Sequence, residues 1–83
     1  MKIVYFAGLR RQIGIGEELV ELPSGIDRVD SLLAWLKQRS PAHRDALEGC
    51  ARLMVAINQD YAALDSRIAA GDEVAFFPPV TGG

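Results

Sequence analysis

Gly71-Asp72-Glu73-Val74-Ala75-Phe76-Phe77-Pro78-Pro79-Val80-Thr81-Gly82-Gly83 closes the chain, and its reading governs the rest. Glu73 to Phe77 alternates, with Val74 and Phe76 on one face and Ala75 and Phe77 on the other, the period-two pattern of a strand. Pro78 and Pro79 cannot donate to a sheet ladder and hold the backbone extended, so the strand is expected to stop there and an arm to project. Gly82 and Gly83 have no side chains and can thread a channel too narrow for a Cβ. That leaves the terminal carboxylate as the only functional group at the tip of a thin, flexible tail. A carboxylate is a poor acyl donor, because it is negatively charged and lacks a good leaving group. Another enzyme would have to activate it, and acyl-adenylate formation with ATP is the natural route. A Gly-Gly ending alone fits a frayed terminus equally well. The proline-stiffened arm behind an aromatic strand favours a working tail.

Working outward, Lys2-Ile3-Val4-Tyr5-Phe6 is β-branched and aromatic and reads as the first strand, with Ile3 and Tyr5 on one face and Lys2, Val4 and Phe6 on the other. A polar stretch with Arg10, Arg11, Gly14 and Gly16 breaks the alternation, which resumes over Glu18 to Leu22 with Val20 and Leu22 sharing a face. These two strands are expected to form a hairpin with a long loop. Asp27 is placed to cap a helix on which Val29, Leu32, Leu33 and Leu36 fall on one stripe, ending near Ser40-Pro41. Trp35 reads as a packing residue at the margin of that stripe. Ala42 to Glu48 predicts a short second helix stopped by Gly49. Leu53 to Ile57 alternates as a further strand ending in the turn residues Asn58-Gln59-Asp60.

This order gives an α+β fold, a mixed sheet with one main helix packed on one face, over a domain of residues 1–77 followed by an extended tail, 78–83. Ile3, Tyr5, Val20, Leu22, Leu53, Val55, Ile57, Val74 and Phe76 are expected to meet the helix stripe as the core. The opposite face would then carry Val4, Phe6, Leu19, Met54, Ala75 and Phe77. That is too apolar for a surface meeting only water, and it predicts a protein partner.

With 83 residues the chain has room for one small core and no second domain. Nine basic against eleven acidic residues leave a formal charge of -2 with no long block of either sign, and Arg10-Arg11 is too small to track a phosphate backbone, so no nucleic acid is expected. No apolar run approaches the roughly 18 residues that span a bilayer, and no signal-like segment opens the chain, so no membrane and a cytoplasmic location are expected. A single Cys50 and a single His43 fall short of a metal set, and no side-chain triad is expected. Cys50 reads as a small half-buried residue and His43 as solvated.

The stretches YFAGLRRQIG near the start, VAINQDY, and above all GDEVAFFPPVTGG at the end resemble the molybdopterin synthase small-subunit family, ubiquitin-like β-grasp sulfur carriers. The likeness spans the chain; Pro41 to Arg52 matches no family motif. It implies that an E1-like adenylating enzyme uses ATP on the Gly83 carboxylate and that a sulfur donor protein converts it to a thiocarboxylate. The large subunit of molybdopterin synthase would then receive Thr81, Gly82 and Gly83, and the sulfur would pass to a cyclic pyranopterin monophosphate. No cofactor would be stably bound and the chain would be non-catalytic alone. The resemblance also implies that Phe6, Tyr61 and Phe77 contact the large subunit, with Pro78 and Pro79 seating the arm; Arg10 matches a recurrent arginine. The thiamine-pathway sulfur carrier shares the fold and the Gly-Gly tail but is typically shorter and lacks the FAGLR-like loop and the FFPPVTGG ending. A ubiquitin-like protein modifier would use the same activated carboxylate, whereas a β-grasp protein-interaction module would leave the tail inert.

Overall fold

A computed structural model of the chain describes residues 1–79. The expectations attached to Thr81, Gly82 and Gly83 lie outside the described residues. The elements run β1 (Lys2–Tyr5), α1 (Ala7–Ile13), β2 (Glu17–Leu19), α2 (Val29–Lys37), α3 (Pro41–Gly49), β3 (Met54–Ile57), β4 (Asp60–Ala62) and β5 (Glu73–Phe77). The sheet order is β2-β1-β5-β3-β4. β1 and β5 run parallel at its centre, with Ile3 opposite Val74 and Tyr5 opposite Phe76, and every other pairing is antiparallel. The fold is α+β, a mixed β-grasp sheet.

One face of the sheet is sealed. Ile3, Val74 and Phe76 are fully buried and pack with Val29, Leu32 and Leu36 of α2, the stripe expected from their spacing. Leu9 of α1 and Ala46 and Leu47 of α3 complete the same core, so three helices rather than one main helix cover the sheet. Leu22, Leu33, Leu53 and Ile57 pack at its edge, half-buried.

Four local expectations are corrected. The stretch around Arg10 and Arg11 is a helix, not a loop; its Leu9 reaches the core, and Gly14, at φ 93°, ends it in the left-handed conformation that glycine accepts without strain. Asp27 does not cap α2. The first N–H groups of α2 donate instead to the carbonyls of Ser66 (3.0 Å) and Leu64 (2.8 Å), while the Asp27 carboxylate pairs with Arg67 at 2.9 Å. With those donors already satisfied by backbone, a side-chain cap is not needed. Asn58 and Gln59, at φ 51° and 73°, form a two-residue hairpin turn into β4, a strand that the turn-prone sequence concealed. His43 is buried rather than solvated, because its ring meets a carboxylate that β2 turns inward.

Candidate docking face and polar lock

The second face of the sheet has no helix over it. Alternation sends Val4, Ala75 and Ala56 to this side, in register across β1, β5 and β3, and the β3–β4 hairpin adds Tyr61 opposite Ala56. Phe77 sits opposite Met54 on the same side. Phe77 is the hub. Its ring meets Phe6 edge-on at 6.4 Å and Tyr61 at 5.9 Å. Phe6 is 49% exposed, Met54 37% and Tyr61 75%, so large apolar side chains stand in water on a face that the sheet could have filled with polar ones. The structure thus brings together Phe6, Tyr61 and Phe77, and continues them into Pro78 and Pro79. Those two prolines, with Phe6, Ala7 and Phe77, line an almost wholly apolar cleft of ≈ 480 Å³.

The backbone aims this cleft. Ala7, at φ 53°, occupies the left-handed region, which costs a residue with a Cβ about 1 kcal/mol. The turn it makes lets α1 start directly after β1 while Phe6, still extended at φ -120°, stays on the open face. At the far rim Lys2 bridges Glu17 at 2.9 Å and Glu73 at 3.7 Å across three strands. The hydrogen bond to Glu17, its charge and the charge of Glu73 together raise the Lys2 ammonium above its ordinary value. The apolar face is therefore bordered by charge.

On the sealed side lies a polar cluster that sequence reasoning missed. Glu18 lies opposite Ile3, so β2 points its carboxylate inward. It accepts a hydrogen bond from the Tyr5 hydroxyl at 2.7 Å and contacts His43 Nε2 at 2.8 Å and the Arg39 guanidinium at 3.2 Å. The Ser40 hydroxyl meets His43 Nδ1 at 2.8 Å and also caps α3 by accepting the His43 backbone N–H at 3.1 Å. An ionised carboxylate only accepts, so Nε2 carries a proton and donates, leaving Nδ1 free to accept from Ser40. Burial alone would push the Glu18 carboxyl up; the hydrogen bonds from His43 and Tyr5 and the charge of Arg39 outweigh it, and the carboxyl is lowered. Burial and the same carboxylate push the Tyr5 phenol up. Among the described residues no buried side-chain nitrogen or oxygen lacks a partner.

Ser40, His43 and Glu18 have the connectivity of a hydrolytic triad, which the sequence order did not suggest. Here the serine is occupied as the cap of α3, so the cluster works as a structural clamp. One signal for it was present: Glu18 shares the alternation face of Val20 and Leu22, the face assigned to the core.

A small β-grasp domain with one face sealed by helices and one aromatic face that runs into Pro78 and Pro79 has the architecture of a ubiquitin-like protein. The chain belongs to the ThiS family, whose model matches residues 3–83. It is 37% identical to the molybdopterin synthase sulfur carrier subunit of Haemophilus influenzae, covering 100% of this chain and 99% of that protein. Against the Escherichia coli protein of the same name it is 36% identical, with the same coverage. Among solved structures it is similar to a molybdopterin converting factor subunit 1 from Pyrococcus furiosus, so described as putative, at TM-score 0.77 and 36% identity over 95% of each chain. The small archaeal modifier protein 1 of Haloferax volcanii is similar at TM-score 0.75 and 34% identity, covering 96% of this chain and 97% of that one.

Proposed function

We propose that this chain is the sulfur carrier subunit of a molybdopterin synthase. The observation that carries the reading is the continuity of Phe6, Phe77 and Tyr61 with Pro78 and Pro79: a docking surface runs straight into the root of the tail, on a chain similar along its whole length to named sulfur carriers. The working atom is the Gly83 carboxylate. An E1-like enzyme transfers AMP from ATP onto that oxygen and releases pyrophosphate; sulfide-level sulfur supplied by a sulfur donor protein then displaces AMP as the leaving group, leaving a thiocarboxylate. The large subunit grips the aromatic face, Thr81, Gly82 and Gly83 enter its site, and sulfur passes to the cyclic pterin precursor. This chain contributes no acid or base to that step and is not an enzyme by itself.

The test is mass spectrometry of the protein after incubation with an E1-like activating enzyme, ATP and a sulfur source. Replacement of one C-terminal oxygen by sulfur is expected in the native chain, and none after deletion of Gly83, with the melting temperature of the shortened protein unchanged. Sulfur acceptance by the shortened protein would sink the carrier reading. Product formation should further require the molybdopterin synthase large subunit; delivery to a thiazole synthase instead would redirect the pathway and keep the carrier chemistry. Likeness to a modifier protein favours one second reading, attachment of the same activated carboxylate to lysines, visible as isopeptide-linked conjugates.

A further inference from the structure

The clamp and the tail lie at opposite ends of one helix. Ser40 caps the start of α3 and His43 lies in its first turn, while Gly49 ends the helix and Cys50 follows it. A helix of nine residues is about 13 Å long and moves as a rod. At its far end α3 packs on α1, and a cavity of ≈ 130 Å³ between them is lined by Gly8 and Gln12 of α1, Ala46 and Gly49 of α3, Cys50, and Pro78. Pro78, the first residue of the tail, therefore borders the cavity at the α1–α3 junction. Among the described residues, the contact of His43 with Glu18 is the only hydrogen bond from α3 to the sheet; the remaining attachment, through Ala46 and Leu47, is apolar and non-directional.

We propose that Glu18 is a positioning residue for the tail: by holding His43 it fixes where α3 lies, and α3 with α1 forms the seat from which Pro78 directs the chain terminus. The inference rests on the carrier reading for its purpose, though not for its geometry. Loss of the carboxylate charge leaves a neutral group with one good acceptor oxygen where two charged ones had served Tyr5 of β1, Arg39 beyond α2 and His43 of α3, the three titratable or charged groups that face it. The hydrogen bond that ties His43 to β2 weakens with it, because a charged acceptor bonds roughly twice as strongly as a neutral one. The first turn of α3 loosens, and the Pro78 seat shifts at the other end. Pro78 also borders the apolar cleft beside Phe6 and Phe77, but the aromatic contacts among Phe6, Tyr61 and Phe77 lie on the side of the sheet away from Glu18.

The experiment is backbone amide NMR of the full chain, titrated from neutral pH down through the carboxylate range, for the native protein and Glu18→Gln. In the native protein the amides of Gln12, Gly49 and Cys50 are expected to move with the same midpoint as the Glu18 side-chain carboxyl, before global unfolding. In Glu18→Gln they should be displaced already at neutral pH and flat through that range. Native amides at the Pro78 seat that stay still while Glu18 titrates overturn the proposal, and this holds even if the variant does not fold. Thiocarboxylated Glu18→Gln assayed with the large subunit should lose about tenfold or more in kcat with KM within about twofold, because docking is kept and aim is lost. Native kcat in a variant whose seat has moved also overturns it. If the native protein transfers no sulfur at all, the carrier reading fails, while the titration still decides whether Glu18 holds the tail root.

Discussion

The two faces of this sheet are made from the same five strands and nearly the same residue types, yet they have opposite fates. Phe76 and Phe77 are neighbours in β5: Phe76 is fully buried, stacked with Tyr5 at 6.5 Å, while Phe77 is half-buried and shares its ring faces with Phe6 and Tyr61 in an open patch. Hydrophobicity therefore does not say which residue holds the fold. What lies above each face does, and three helices lie above only one of them.

The sharpest way to break this comparison is to cut both phenylalanines back to alanine. Phe76→Ala opens a cavity in a sealed core and should cost about 3–5 kcal/mol by denaturant unfolding, a large part of what a domain this small has. Phe77→Ala should cost far less stability by the same measurement. Equal losses would mean that the two faces are energetically one core.

The next largest effect is expected in binding. Phe6→Asp or Phe77→Asp places a charge in the aromatic patch and should weaken association with the large subunit by ~2 kcal/mol or more, roughly 30-fold in Kd, read by calorimetry. Melting of the free domain should change little. A variant that unfolds on its own would move that residue from the docking face to the core.

Acid should act on the sealed face first. The Glu18 carboxyl is lowered in the folded state, so its contribution to stability is complete above the ordinary carboxylate range and is lost as pH falls through that range toward the folded value. Thermal melts of the native protein should fall over that window, and Glu18→Gln should be less stable at neutral pH with a shallower fall. A parallel fall in both proteins would assign the acid sensitivity to other carboxylates.

The smallest effect marks the edge of the patch. Leu19, 82% exposed on edge strand β2, lies on the open face at the far side of β1 from Phe77. Leu19→Thr should leave stability within about 0.5 kcal/mol. Loss of partner affinity in the same variant would extend the docking surface across the whole face.

Alternation alone separated Ile3, Tyr5, Val74 and Phe76 from Val4, Phe6, Ala75 and Phe77, because a strand sends successive side chains to opposite faces wherever it is placed. The stripe of Val29, Leu32, Leu33 and Leu36 marked α2 for the same local reason, and the two prolines marked where the sheet must stop. Tertiary structure decided the rest. The Arg10–Arg11 stretch became a helix because Leu9 finds the core only after the fold has formed. Tyr61 joined Phe77 only when the Asn58-Gln59 turn brought β4 alongside β3. Glu18 and His43, 25 positions apart, form a buried pair because β2 turns Glu18 to the sealed face, where the Tyr5 side chain of β1 meets both. Neither residue carries a local signal strong enough to announce that contact, since a buried charge is tolerable only beside partners that the folded chain supplies.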